Sequence, residues 1–250
     1  LQLWNSRRKS FKQLAKCHLS WSSLHRECVL LHLRRVTAQR CLWNSAKMLI
    51  AALFVATGGV YYGISDVDPW DIIRDARTYP GPYPVVAHPP CERWGRYWSG
   101  GPSARVRCIK GDDNGCFAAA LASVRRWGGI LEHPEASHAW NAYELRKPPR
   151  SGWWVRADVH GGWTCCVEQG HYGHLARKAT WLYAVSVALP SLRWGPSQGG
   201  LCVDEGFHSA EERRRAVRTG IVQRLSHKQR LSTPIPFRDV LLTMARSVAP

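Results

Sequence analysis

The sequence feature that most constrains the fold is a short apolar run, Val85 to Ala87, that stands between prolines. A run of this length is typical of a buried strand, and it stops at Pro89 and Pro90 because proline has no backbone N–H for the sheet ladder. The chain must therefore turn directly after His88. In an open α/β sheet, ligands bind at the carboxyl ends of the strands. This turn is therefore predicted to border a crevice.

Similar short apolar segments recur along the chain and alternate with stretches of helical spacing. The predicted strands are 49–56, 85–88, 130–134, 163–169 and 181–189, and the predicted helices are 68–79, 112–127, 209–219 and 236–248. The first of these helices is predicted from Asp68 as its N-cap and Pro69 in its first turn. Strands that alternate with helices of this length favour a parallel sheet. We expect an α/β fold with a mostly parallel sheet, an antiparallel last hairpin and flanking helices.

The first 47 residues differ from the rest of the chain in composition. They carry ten Lys or Arg and one acidic residue, and their apolar residues show no steady period. This basic leader is predicted to be a transit peptide, a basic arm for nucleic acid, or sequence translated ahead of a start at Met48. Because apolar patterning begins at Met48, we expect a core over 48–190 and a mainly helical extension over 191–250.

Charge and cysteine content narrow the classes of partner and compartment. The chain carries a net charge of +17 and stays basic without the leader, which favours a polyanionic partner such as nucleic acid. Its nine cysteines are an odd number without regular spacing, which is typical of a reducing cytoplasm. A zinc site at Cys165, Cys166, His171 and His174 is not predicted, because adjacent cysteines on a strand face opposite sides.

Two residues at predicted strand ends carry reactive groups. Cys91 follows the proline turn, and Arg93 and Arg96 come soon after it, so nearby positive charge would favour the thiolate. Glu132 lies near the end of its strand, where a partly desolvated carboxyl would have a raised pKa and could give a proton. A buried structural cysteine and an exposed glutamate at a strand end are the ordinary alternatives.

Two further segments are candidates for binding a cofactor or phosphates. Thr57-Gly58-Gly59 follows the first strand, and glycine at such a turn lets a ligand approach the backbone closely. Arg177 and Lys178 lie in the connection between the last two strands, where they are predicted to contact DNA phosphates. A simple turn and a solvated surface pair are the alternatives.

The order of these pieces resembles the short cytosine-C5 DNA methyltransferase-like proteins of phages and prophages. The likeness rests on His88-Pro89-Pro90-Cys91, then Leu131-Glu132-His133-Pro134, then Gln169…Tyr172-Gly173-His174…Lys178-Ala179-Thr180-Trp181-Leu182-Tyr183. It spans about residues 49–189 and is most specific in the last stretch. The resemblance implies a reduced Rossmann-like fold of the class I methyltransferase type.

The resemblance also implies roles for individual residues. Cys91 corresponds to the nucleophile that adds to cytosine C6, and Glu132 to the glutamate that holds and protonates N3. The target cytosine would leave the DNA stack for this reaction. The other implied contacts are with the DNA substrate at Pro90, His133, Arg177 and Lys178, and with the cofactor S-adenosylmethionine at Phe54, Thr57, Gly58, Gly59 and Asp68.

The sequence departs from the family pattern at several places, and one is Glu92, where larger enzymes often have Gln. His133 stands where the family has Asn, and the spacing from Gly59 to Asp68 is too short for a helix and a second strand. An amino-methyltransferase that uses the His88-Pro89-Pro90 turn is therefore an alternative enzyme. A basic, Trp-rich DNA-binding protein without catalysis is an alternative of another class. We expect a cytoplasmic protein of a bacterium or a phage-infected cell, with no membrane partner.

Overall fold

The computed structural model describes residues 49–100, 107–198, 201, 209–219 and 225–249, and the predicted leader lies outside these ranges. The described chain is an α/β structure built on one seven-stranded mixed sheet. The strands are β1 (Ile50–Leu53), β2 (Val67–Trp70), β3 (Val85–Ala87), β4 (Gly129–Pro134), β5 (Val155–Arg156), β6 (Trp163–Glu168) and β7 (Ala179–Val185).

The strand order in the sheet is β2-β1-β3-β4-β7-β6-β5. Strands β2, β1, β3 and β4 are parallel neighbours, whereas β7 runs antiparallel to both β4 and β6. The β6–β7 pair is the antiparallel hairpin expected from the sequence, and β5 adds an outer antiparallel strand. The mostly parallel half and the antiparallel end confirm the predicted α/β class.

The prediction of a helix over 68–79 is wrong. Val67–Trp70 instead form β2, which pairs with β1 and lies at the edge of the sheet. Pro69 is tolerated there because one side of an edge strand has no ladder partner. The aspartate and proline that suit a helix start suit an edge strand equally well. Residues 54–66 connect the two strands through turns, so a second strand fits where the sequence spacing seemed too short.

Helices α1 (Cys116–Trp127) and α2 (His138–Ala142) cover one face of the sheet. The predicted helix at 112–127 begins at Cys116, because the Asp113 carboxylate accepts a hydrogen bond from the Phe117 backbone N–H at 2.8 Å. Helix α1 buries Phe117, Leu121 and Val124 in the same core layer as the inward-facing residues Ala51, Leu53, Val85, Ala87 and Leu131 of β1, β3 and β4.

Helices α3 (Ala210–Thr219), α4 (His227–Leu231) and α5 (Ile235–Arg246) come from the segment after residue 190. Helix α5 buries Phe237, Leu241 and Leu242 in a second core layer, together with Ile50, Ala52, Val86 and Ile130 of the sheet. Its Arg238 also donates to the Val60 carbonyl at 2.7 Å. Helix α5 is therefore the layer that covers the second face of the sheet. No helix in the described ranges is both long enough and apolar enough to cross a membrane.

Candidate active site

Side chains from several strands and their flanking turns meet at one edge of the sheet. Strands β1, β3, β4 and β6 end there and β7 begins there, since Pro134 pairs with Thr180 and Glu168 with Ala179. We call this side the carboxyl edge. It gathers residues that lie far apart in the sequence, among them Cys91, Glu132, Gln169 and Lys178.

Alternation along the strands decides which face of the sheet each edge residue serves. Ile130 packs in the layer under α5, and Leu131 packs in the layer under α1. Glu132 therefore points to the α5 face and His133 to the α1 face. His88 points to the α5 face as well, where its Nδ1 lies 2.9 Å from Glu132 Oε2.

Both oxygens of the Glu132 carboxylate are held by neighbours. His88 Nδ1 contacts Oε2, and Gln169 Nε2 donates to Oε1 at 3.1 Å. Burial raises the pKa of Glu132, but the hydrogen bond and attraction from His88, joined by the charge of Lys178, outweigh it and lower the pKa to about 2. The expectation of a raised pKa is therefore wrong, and Glu132 is a carboxylate at neutral pH. Its side chain is 12% exposed, so a ligand can reach it.

Cys91 lies half-buried at the start of the turn that follows Pro90. Its carbonyl accepts hydrogen bonds from the backbone N–H groups of Trp94 and Gly95, at 3.0 and 2.8 Å, which closes the turn. Burial and the nearby charge of Glu132 raise the pKa of the thiol to about 11, against the lowering influence of Lys178. Cys91 is therefore a thiol at neutral pH.

The cation that favours the Cys91 thiolate is Lys178, whereas the sequence pointed to Arg93 and Arg96. Burial lowers the pKa of Lys178, and the charges of Glu132 and Cys91 oppose that shift, which places the three side chains within electrostatic reach of one another. The Lys178 ammonium also donates to the Ser232 carbonyl at 3.0 Å.

The two residues of the predicted phosphate-binding pair, Arg177 and Lys178, lie in different surroundings. Arg177 is exposed, whereas Lys178 is turned toward the carboxyl edge and adopts a left-handed backbone conformation with φ 41°. Their side chains therefore serve different surroundings. Arg177 remains a candidate for a phosphate contact, and Lys178 belongs to the group around Cys91 and Glu132.

His133 is fully buried on the α1 face and does not reach the surface as a substrate contact. Its ring packs against Phe117 and Trp140, with centroids 5.2 and 6.2 Å away, and burial lowers its pKa to about 4. The ring lies beside the Pro90 carbonyl, although neither ring nitrogen has a hydrogen-bond partner of good geometry. His133 therefore packs against the buried side of the turn, whereas Pro90 is exposed next to Cys91.

The predicted cofactor turn lies at the carboxyl end of β1. Phe54 adopts a left-handed conformation with φ 59° and starts the turn, and Gly59 N–H donates to the Ala56 carbonyl at 2.9 Å. Thr57 is exposed but its hydroxyl donates to Asp71 at 2.7 Å. Gly58 is exposed with φ 67°, and open space surrounds the position that a side chain would take.

Asp71 holds this turn, whereas the predicted cofactor contact Asp68 does not contact it. The Asp71 carboxylate is buried at the end of β2 and accepts hydrogen bonds from the hydroxyls of Tyr62 and Thr57, which lower its pKa to about 2. Asp68 lies within β2, where it binds Arg74 and the Trp70 indole N–H. Asp71 was given no site role from the sequence, because it fell in the first turn of the helix predicted over 68–79.

Three other members of the network were not singled out from the sequence. Tyr61 and Gln169 contact His88 and Glu132 respectively, and the Thr180 hydroxyl accepts a hydrogen bond from Gln169 at 3.0 Å. Gln169 and Thr180 stand in the stretch that carries the family resemblance, which was the available signal. Tyr61 carried none, because its contact depends on how the turn after β1 folds back.

Within the described ranges, no group of three or more His, Cys, Asp or Glu side chains is placed to hold a metal ion. Cys165 and Cys166 lie in opposite core layers, as expected for adjacent strand residues.

Comparison of the whole chain with protein-family models, with curated proteins and with solved structures finds no match.

Proposed function

We propose that this chain is an S-adenosylmethionine-dependent DNA methyltransferase of Rossmann-like, class I type that methylates C5 of a flipped cytosine. The observation that carries the proposal is the position of Cys91, Glu132 and Lys178 at the carboxyl edge of the parallel strands, within electrostatic reach of one another. A sulfur nucleophile, a carboxylate and a cation at one edge are the groups that addition to a pyrimidine ring requires.

The reaction needs a nucleophile because C5 of cytosine does not attack electrophiles by itself. Addition of the Cys91 sulfur to C6 pushes the C5=C6 electron pair onto C5, provided that N3 gains a proton. C5 would then take up the methyl group as the bond between that methyl and the sulfonium sulfur breaks, and C5 would lose its own proton to water. The electrons of that C–H bond restore the double bond, the C6–S bond breaks, and N3 returns its proton.

The resting protonation of the two side chains matches this sequence of steps. The pKa of Cys91 is raised to about 11 and that of Glu132 is lowered to about 2, so at neutral pH the pair carries one proton, on sulfur. Addition at C6 releases this proton, and N3 needs one. In the proposed reaction Glu132 accepts this proton and passes it to N3.

An ionised Glu132 also selects the base. Cytosine carries an amino group that donates hydrogen bonds, whereas thymine has a carbonyl oxygen at the same position. A carboxylate accepts the amino N–H and repels the carbonyl oxygen. The structure at Glu132 therefore favours cytosine as substrate.

The residues at the ends of β1 and β2 fit the contacts that S-adenosylmethionine needs. Gly58 has open space at its side-chain position, so a ligand can approach the backbone there. Phe54 is a half-buried aromatic residue at this turn, and the side chain of Asp68 is 30% exposed, enough to accept from a ribose hydroxyl. When bound, the cofactor supplies an electrophilic sulfonium methyl group.

Basic and aromatic side chains beside the Cys91 turn suit DNA as the partner. Tyr97 is 42% exposed with the Arg96 guanidinium 5.6 Å from its ring centroid, and the Lys110 ammonium lies 5.1 Å from the Trp98 ring. Aromatic faces next to cations stack on bases and contact phosphates. This surface supports binding of a strand whose base enters at Cys91.

The direct test is the identity of the methylated product. We expect duplex DNA incubated with the protein and methyl-labelled S-adenosylmethionine to yield 5-methylcytosine by mass spectrometry of its nucleosides. Cys91→Ser should abolish this product, whereas Cys108→Ser, a matched change at another half-buried free cysteine, should leave it unchanged. Product that persists in Cys91→Ser would contradict the proposed nucleophile.

One observation favours a second candidate, methylation of an exocyclic amine. The raised pKa of Cys91 keeps it a thiol, and an amino-methyltransferase does not require a nucleophilic sulfur. In that case the product is N-methylated, it is formed equally well by Cys91→Ser, and Glu132→Gln lowers its yield. A protein that binds DNA without catalysis gives neither product, and its affinity for DNA is the same in Cys91→Ser, Cys108→Ser and Glu132→Gln.

A further inference from the structure

A chain of hydrogen bonds runs from the interior of the protein to the Glu132 carboxylate. The Tyr61 hydroxyl lies 2.7 Å from His88 Nε2, and His88 Nδ1 lies 2.9 Å from Glu132 Oε2. The three residues come from the β1–β2 connection, the turn after β3 and strand β4. The His88 backbone N–H also donates to the Leu53 carbonyl at 3.0 Å, which fixes where the imidazole begins.

The partners of His88 decide which ring nitrogen carries the proton. The Glu132 carboxylate can only accept, so Nδ1 must donate to it. Tyr61 is buried, and burial together with the charge of Glu132 raises its pKa well above the ordinary value, so its hydroxyl keeps its proton. When the imidazole is neutral, Tyr61 therefore donates to Nε2, and this bond selects the tautomer of His88 that suits Glu132. A protonated imidazole donates to Glu132 from the same Nδ1.

The arrangement leaves Glu132 with unused acceptor capacity. Each carboxylate oxygen has two lone pairs, and His88 and Gln169 occupy one on each oxygen. Held from two sides, the carboxylate cannot rotate freely, and its 12% exposure shows that part of it remains open to solvent. The titratable groups around it are His88, Lys178 and Cys91, and His133 lies on the other face.

We propose that His88 is a positioning residue for Glu132, held in the required tautomer by Tyr61, and that it aims the free lone pairs of the carboxylate at the base-binding edge. This role rests on the proposed function, because it is the bound cytosine that these lone pairs would meet. His88 touches neither the base nor the methyl group in this account. It acts through Glu132 alone.

Three variants separate positioning from simple stabilisation. His88→Asn keeps a side-chain N–H close to the place of Nδ1, His88→Leu removes the donor, and Tyr61→Phe removes the bond that selects the tautomer. Misplacement of a catalytic group by about 1 Å costs about 100-fold in rate. We expect His88→Leu to lower kcat for DNA methylation about 100-fold with KM within about twofold, and His88→Asn to recover at least about tenfold of that loss.

A second measurement needs neither DNA nor cofactor. The infrared spectrum of each variant, minus that of the same variant carrying Glu132→Gln, isolates the Glu132 group. Followed as a function of pH, the Glu132 carboxylate band should be lost at a higher pH in His88→Leu than in the natural protein and in His88→Asn, because burial raises the pKa of Glu132 and the charge of Lys178 is then the main influence left to lower it.

The outcomes distinguish failure of this proposal from failure of the proposed function. If no variant methylates DNA but the infrared bands change as expected, the function fails and the hold of His88 on Glu132 stands. If the carboxylate band of His88→Leu is lost at the same pH as in the natural protein, or if kcat stays within about twofold while the protein methylates, His88 is not a positioning residue. Equal losses in His88→Asn and His88→Leu overturn the proposal in the same way.

Discussion

Truncation of Leu241 tests whether α5 forms part of the core. Leu241 is fully buried on the α5 face, in the layer that contains Phe237 and Leu242. Replacing it with alanine removes three carbon atoms, a loss of about 2.4 kcal/mol at about 0.8 kcal/mol per buried methylene. The cavity left behind adds to this, so we expect Leu241→Ala to lower the free energy of unfolding by about 3–4 kcal/mol.

The matched control is the same substitution at an exposed leucine. Leu231 is the last residue of α4 and is 59% exposed, so Leu231→Ala should change stability by no more than about 0.5 kcal/mol. Because leucine and alanine have similar helix propensities, packing accounts for the difference between the two variants. Urea unfolding followed by tryptophan fluorescence measures both. A loss below about 1 kcal/mol for Leu241→Ala would show that α5 does not cover the sheet.

Three further predictions concern charges at the carboxyl edge. The folded-state pKa of Glu132 is about 2, below its ordinary 4.5, so its carboxylate contributes up to about 3 kcal/mol of stability above pH 4.5. This contribution is lost as the pH falls toward 2, so the difference in unfolding free energy between the natural protein and Glu132→Gln should close over that window in urea titrations. A difference that stays constant with pH refutes the assignment. Lys178→Met should slow alkylation of Cys91 several-fold at pH 8.5, because the cation that favours the thiolate is gone. The rate is measured from the mass of the peptide that contains Cys91. Arg177→Ala is the control and should leave this rate unchanged. Arg177→Ala should lower the slope of the logarithm of DNA affinity against the logarithm of salt concentration by about one, and Lys178→Met should leave this slope unchanged. Equal slopes in the natural protein and both variants would show that Arg177 is a solvated surface residue without a phosphate contact.

Much of the sheet could be predicted from the sequence because its strands are marked by local chemistry. Prolines bound the strand at Val85–Ala87, and the apolar run ending in Pro134 marks its neighbour. Alternation and strand order then bring the two turns to one edge. The β2 strand could not be predicted in this way, because Asp68 and Pro69 are compatible with a helix start and with an edge strand. Only pairing with β1 distinguishes the two.

The protonation of the site residues depends on contacts between residues that are distant in the sequence. The sequence therefore indicated that Cys91 and Glu132 lie at the same edge, but the protonation states predicted for them were wrong. Burial near a strand end suggested a proton on Glu132, but His88, 44 positions away, reverses that shift. The arginines next to Cys91 suggested an activated thiolate, but burial and Glu132 prevail there. Adjacent positions in the sequence do not determine these balances, because the deciding partners arrive through the fold.

The most direct test of the central claim is covalent trapping of the protein on DNA. Random-sequence duplexes in which 5-fluorocytosine replaces every cytosine contain the target whatever its sequence. Sulfur addition and methyl transfer can proceed on this base, but fluorine cannot leave C5 as a proton does, so the C6–S bond persists. We predict a protein–DNA adduct that resists denaturation, requires S-adenosylmethionine and maps to the peptide that contains Cys91. The adduct should form in Cys108→Ser and should be absent in Cys91→Ser. No adduct with a natural protein that methylates ordinary DNA, or an adduct that survives Cys91→Ser, would contradict the account.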